Sequence, residues 1–250
     1  ANKQTYTAAV GANLKMTKGA TTTFTSTNDA IAFNTADILL SGGSNLVVNS
    51  AGGAISALAI DGTTSEDVTL NASGGATNTV VVGAIGAGGK INTVSLNGTG
   101  GSVRLNGNIT TDALTGDSVT VTGPALIGAN VTIDTTANAV VDTTGTVSFT
   151  STVDDTAAGT HSLTIKSGGA TAGITGVVGG SAALSALDIN SAAGAGAITL
   201  GGIGDGGAGV TGDTAVGNAN TASITFSGAT YNANKQTYTA AVGANLKMTK

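Results

Sequence analysis

From Ile31 onward the chain alternates apolar and other residues in short bursts. Apolar pairs with one residue between them recur at Ile31/Phe33, Leu46/Val48, Leu58/Ile60, Val68/Leu70, Val80/Val82, Val94/Leu96, Val103/Leu105, Val119/Val121, Val131/Ile133, Val147/Phe149, Leu163/Ile165, Leu187/Ile189, Ile198/Leu200 and Ile224/Phe226. Residues two apart share a face of an extended strand, so each pair predicts a short strand with two side chains turned inward. Gly, Asn, Asp, Ser and Thr fill the gaps, which is the punctuation of strands and turns. No stretch carries a helical period, and the predicted fold class is all-β.

Two β architectures fit this spacing. A sandwich has strands at similar intervals, and Asp61-Gly62, Asn97-Gly98, Asn106-Gly107 and Asp205-Gly206 have the form of hairpin turns. A parallel β-solenoid instead pairs each strand with the strand one coil away, and its narrow interior accepts small and branched side chains. Recurrent phrases favour the solenoid. VVVGAIGAGGKINTVSLNGTGG from Val80, VSFTSTVDDTAAGTHSLTIKSGGA from Val147 and ITGVVGGSAALSALDINSAAGA from Ile174 each run strand, small-residue turn, strand. The phrasing predicts about ten irregular coils of roughly 20 to 28 residues, rising about 4.8 Å each to a length of about 50 Å.

These phrases, above all GVVGGSAALSALDINSA from Gly176 and TVDDTAAGTHSLTIKSGGA from Thr152, resemble the repeats of giant bacterial surface exoproteins. Filamentous-haemagglutinin-like adhesins and autotransporter passengers are of this kind, and the Gly/Ala/Thr/Asn-rich style is similar to rickettsial outer-membrane protein B. The resemblance implies export, surface display and a β-solenoid shaft.

The ends of the chain carry an exact duplication. ANKQTYTAAVGANLKMTK, residues 1–18, returns unchanged as residues 233–250. The chain therefore reads as one complete unit, 1–232, followed by the start of the next identical repeat, 233–250, and the natural protein is expected to be longer. Within one unit the joint concentrates rare residues: both tyrosines (Tyr6, Tyr231), the one methionine (Met16), the one glutamine (Gln4) and half the positive charge (Lys3, Lys15, Lys18). We expect a repeat-junction interface at Lys3, Tyr6, Lys15, Met16, Lys18, Tyr231, Lys235 and Tyr238, where amphipathic side chains pack one copy end to end on the next or make lateral fibre contacts.

Composition narrows the field further. Forty glycines, 3% aromatic and 9% charged residues over 250 positions leave the core to Val, Ile, Leu and Ala. Fourteen acids against nine bases give a net charge of −5, and −8 for one 232-residue unit, the wrong sign for binding nucleic acid. There is no cysteine. No apolar run reaches the roughly 18 residues of a transmembrane helix. An export signal is expected outside this sequence, and the expected location is extracellular or cell-surface.

Candidate chemistry is sparse, and no enzymatic activity is expected. His161 is the one histidine and sits in a Gly159-Thr160-His161-Ser162 turn, beside Asp154 and Asp155, without a nucleophile-elbow context. Asp154 and Asp155 should point to opposite faces of a strand, while Asp112 and Asp117 flank a turn. Arg104 is the one arginine. Gly201-Gly202-Ile203-Gly204-Asp205-Gly206-Gly207 approaches the calcium β-roll pattern, one residue short and without tandem repetition, so Asp205 is the sole candidate metal ligand and calcium the sole candidate cofactor. The expected function is a structural fibre repeat, with an S-layer or glycan-binding β-sandwich adhesin domain as the alternative.

Overall fold

The computed structural model describes every residue except 1, 2, 10, 76, 77, 90, 113–115, 137–144, 208 and 250. Among the described residues there are 25 strands and no helix. Each strand pairing is parallel. That excludes hairpins and sandwich sheets among these strands, and the dipeptides with hairpin-turn form lie elsewhere than between antiparallel strands. The fold is a parallel β-solenoid.

Three stacks of strands build it. On the first face Gln4, Ile31, Ile55, Val80, Val103, Ala125, Val153, Val178, Ile203 and Tyr231 follow in register. These ten rungs bound nine turns, close to the ten coils expected. The coils are unequal: the step is shortest from Val103 to Ala125 and longest from Ala125 to Val153 and from Ile203 to Tyr231. On the second face Leu14, Ile38, Ile60, Ile85, Ile109, Ile133, Ile165, Ile189, Val216 and Tyr238 stack. On the third, Phe24, Val48, Leu70, Leu96, Val121, Phe149, Ile174, Leu200, Phe226 and Met248 do so.

The lumen between the faces is the core. The seven isoleucines from Ile38 to Ile189 on the second face are all fully buried. A column of identical β-branched side chains fits because every rung presents the same pleat to the same neighbour. Every apolar pair read from the sequence is buried on both members except Leu58/Ile60, where Leu58 is 52% exposed. The strand Ile55–Asp61 spans the first and second faces and bends between them. At the bend the alternation loses its phase: Ala57 and Ile60 point in, and Leu58 points out.

The outer ranks differ from face to face. The middle rank of the third face runs Thr23, Val47, Thr69, Ser95, Thr120, Ser148, Gly173, Thr199, Thr225 and Lys247, uncharged until its last member. The second face carries the Asp134–Lys166 and Asp188 charges. No helix long and apolar enough to cross a membrane occurs among the described residues.

Candidate interface at the repeat junction

Six of the seven aromatic residues lie at the two ends of the solenoid, where the stacks run out of partners. At the N-terminal end Tyr6, in the strand Gln4–Thr7, stacks on Phe33 at 5.2 Å and meets Phe24 edge-on at 5.0 Å. Phe24 and Phe33 close the triangle at 5.2 Å. Leu14, Lys15, Met16 and Lys18 join these rings around an open groove at the mouth of the lumen. Lys15 and Lys18 on the rim of this groove are exposed, as is Lys3 just before the first strand.

The C-terminal end mirrors this with different partners. Phe226 meets Tyr231 edge-on at 5.1 Å and Tyr238 edge-on at 4.9 Å. The Tyr231 hydroxyl donates to Leu200 O at 3.0 Å and accepts the Gly228 N–H at 2.9 Å. Burial raises the Tyr231 phenol above its ordinary value, and burial followed by the neighbouring Tyr231 pushes Tyr238 up to about 12. Lys235 pairs with Asp213 at 3.5 Å, both well exposed, an arrangement worth little in stability.

The two copies of the duplicated segment share one side-chain contact and differ in burial. Tyr6 donates its hydroxyl to Gln4 Oε1 at 2.8 Å, and its counterpart Tyr238 donates to Gln236 Oε1 at 2.9 Å. Met16 is nearly buried at 8% exposure, whereas its counterpart Met248 is 79% exposed and Leu246 56%. The backbone bonds of the two copies also run in opposite directions. In the first copy Gln4 N–H donates to Ala30 O and Met16 O accepts from Ser41 N–H, both toward the following coil. In the second copy Thr239 N–H donates to Val216 O and Thr249 N–H donates to Phe226 O, both toward the preceding coil. The backbone groups of Gln4 and Tyr6 point one way along the axis and those of Thr5 and Thr7 the other. One copy is bonded along one edge and the second copy along the opposite edge.

The eight residues singled out by sequence thus fall in two groups: Lys3, Tyr6, Lys15, Met16 and Lys18 at one mouth, Tyr231, Lys235 and Tyr238 at the other. Phe24, Phe33, Phe226, Leu14 and Met248 complete the mouths and were not singled out. Phe33 and Phe226 read as ordinary strand positions, but the crowding of aromatic residues toward both ends of a chain with so few was a usable signal.

The other candidate chemistry lies elsewhere. His161 is a partner rather than a free turn residue: its Nδ1 is 2.6 Å from Asp155 Oδ1, and Asp155 also accepts the N–H groups of Ala157, Thr160 and His161. Asp155 follows Leu105 and Ile127 in an inward column, while Asp154 faces outward and accepts Ser181 N–H at 2.8 Å. Burial alone would raise the Asp155 carboxyl, but the hydrogen bonds from Ala157 and His161 prevail and hold it below its ordinary value. This carboxylate organises the loop between Asp155 and Ser162. Arg104 Nε donates to Asn106 Oδ1 at 2.9 Å on the outer surface. Asp205 is exposed between Gly204 and Gly206, both at positive φ. No group of three or more His, Cys, Asp or Glu gathers in a metal-binding arrangement among the described residues.

No protein-family model, no curated protein sequence and no solved structure matches this chain.

Proposed function

We propose that residues 1–232 are the structural repeat of an extracellular or cell-surface fibre, a stiff solenoid shaft that serves adhesion, cell–cell contact or a matrix, of the kind built by the large surface exoproteins that the sequence resembles. Copies follow one another in one polypeptide, and the coil continues from each into the next. The observation that carries this is the complementary use of strand edges by the two copies of residues 1–18. Laid on one another, they form a strand bonded on both sides, to Val216 and Phe226 below and to the Ile31–Asn34 and Asp37–Leu40 strands above. The same superposition makes one tyrosine the hub of the joint, in contact with Phe226 on one side and with Phe24 and Phe33 on the other. The bare, apolar ends of a single unit would otherwise be open templates for uncontrolled edge pairing. Capping them with the next copy removes that hazard, and the net negative charge holds neighbouring shafts apart.

The test is immunogold electron microscopy of intact producing cells, with a denaturing gel of the same material. Labelled thin fibres at the surface and a band far above the 23.6 kDa of this chain are expected. Label confined to the cytoplasm, or a band near one unit after complete denaturation, would overturn the proposal.

A further inference from the structure

The duplicated segment does not return to the face on which it began. In the first copy the Gln4–Thr7 strand lies on the first face, under Ile31–Asn34, and Asn13–Met16 lies on the second, under Asp37–Leu40. In the second copy the same Gln-Thr-Tyr-Thr lies on the second face, over Thr214 to Val216, and the same Asn-Leu-Lys-Met lies on the third, over Ser223–Phe226. The first face is occupied at that level by Tyr231, bridged to Ile203. The period of the duplication is therefore nine coils plus one face.

We infer that the end of each unit is an interface for a second copy of this chain in one rotational setting, with the second copy turned by one face, a third of a turn, relative to the first. This rests on the tandem reading above, and adds to it how the copies meet. The pairings of Gln4–Thr7 with Ile31–Asn34 and of Asn13–Met16 with Asp37–Leu40 survive the turn, because the two travel together. The next strand of the second copy, counterpart of Thr22–Ser26, arrives on the first face above Tyr231. Thr22 N–H donates to Asn45 O in the following coil, and among the described residues no strand pairs with this one from below: only the Gln4 side chain reaches that edge, its Nε2 donating to Thr25 O at 2.7 Å, whereas its counterpart Gln236 donates to Tyr231 O at 3.1 Å instead. The aromatic side chain of Tyr231, already edge-on to Phe226, then joins the rings of the incoming copy.

A second copy set without the turn would need Gln236 to reach the first face. It would have to leave its place beside Thr214 and pass two further faces, with a coil of chain that the sequence between Tyr231 and Gln236 does not contain. Every outer feature therefore moves one face round per unit. The uncharged Thr/Ser rank of the third face appears on each side of the fibre in turn, and three units restore the pattern. With rungs about 4.8 Å apart the unit rises about 45 Å and the full period is about 135 Å.

The experiment is cryo-electron microscopy of a polypeptide of three complete units in series, traced coil by coil. The face carrying the Gln-Thr-Tyr-Thr strand is expected to be the first, second and third in successive units, within one unbroken rod. A rod in which all three units place that strand on the same face, with a period of about 45 Å, overturns this inference and leaves the shaft intact. Three separate particles on a string, with no coil crossing the joints, overturn the tandem-shaft proposal itself.

Discussion

Glu66 has no exposed surface, yet it is ionisable, and its surroundings explain how it is tolerated. Its carboxylate accepts the N–H groups of Thr63 and Thr64, each at 2.8 Å, and of Gly43 in the preceding coil at 3.2 Å, together with the Thr64 hydroxyl at 2.7 Å. It thereby holds a corner in which Ser65 is forced to a φ of +72°. Burial alone would raise its pKa, but the hydrogen bonds from Thr64, Thr63 and Gly43 prevail and the value falls below 4.5. A carboxylate depressed in the folded state contributes stability that is complete above its unfolded value and is lost as pH falls through its folded one. Glu66→Gln puts an amide donor among donors, and we expect it to cost about 1–3 kcal/mol at neutral pH. In urea denaturation the gap between variant and parent should close well below pH 4.5, where both side chains are neutral; a gap independent of pH would contradict the assignment. Neither Glu66 nor Asp155 was legible as an anchor. Both sit on inward positions among Thr, Ser and Asp letters that read as turn, and only the register reveals which neighbours aim their N–H groups at them.

The strand is the scale at which sequence spoke most clearly. Val94/Leu96 or Ile198/Leu200 can be read directly, since a straight strand with one wet face enforces a two-residue period. Leu58 escaped because a strand that turns a corner changes phase, and the corner has no letter of its own. Its structural mark is one coil later, at Gly83: a Cβ there would lie 1.8 Å from Leu58 O, so the two bends can nest only if the upper one is glycine. Gly173, in the outer rank between Ser148 and Thr199, has nothing within 4 Å of its absent Cβ. Gly83→Ala should therefore destabilise by about 1–3 kcal/mol through overpacking. Gly173→Thr should be neutral or stabilise by up to about 1 kcal/mol through strand preference and a less free unfolded chain. Equal denaturation midpoints for the two variants would show that the bends do not nest as described.

For the whole molecule, the repeat was plain in the letters and its phase was not. Two identical segments, 1–18 and 233–250, announce a period. That the period is nine coils and one face shows only in the register, because the coils differ in length, short from Val103 to Ala125 and long from Ala125 to Val153. The masses of Gly, Ala and Thr in the loops hide that variation. The parallel ladder also decides how such a shaft answers tension. Its hydrogen bonds lie along the axis and join each coil to its neighbours alone, so a pull on the ends loads one terminal rung at a time instead of shearing a whole sheet. Each rung that opens yields roughly 25 residues, about 75–100 Å of extended chain for about 4.8 Å of rod. Single-molecule pulling on units in series should give a long train of such small steps; abrupt losses of a whole unit would contradict it. In the proposed fibre, such a shaft becomes, above its yield force, a tether that lengthens about twentyfold, and a cell held by it would stay attached under a load that would snap a bond of fixed reach.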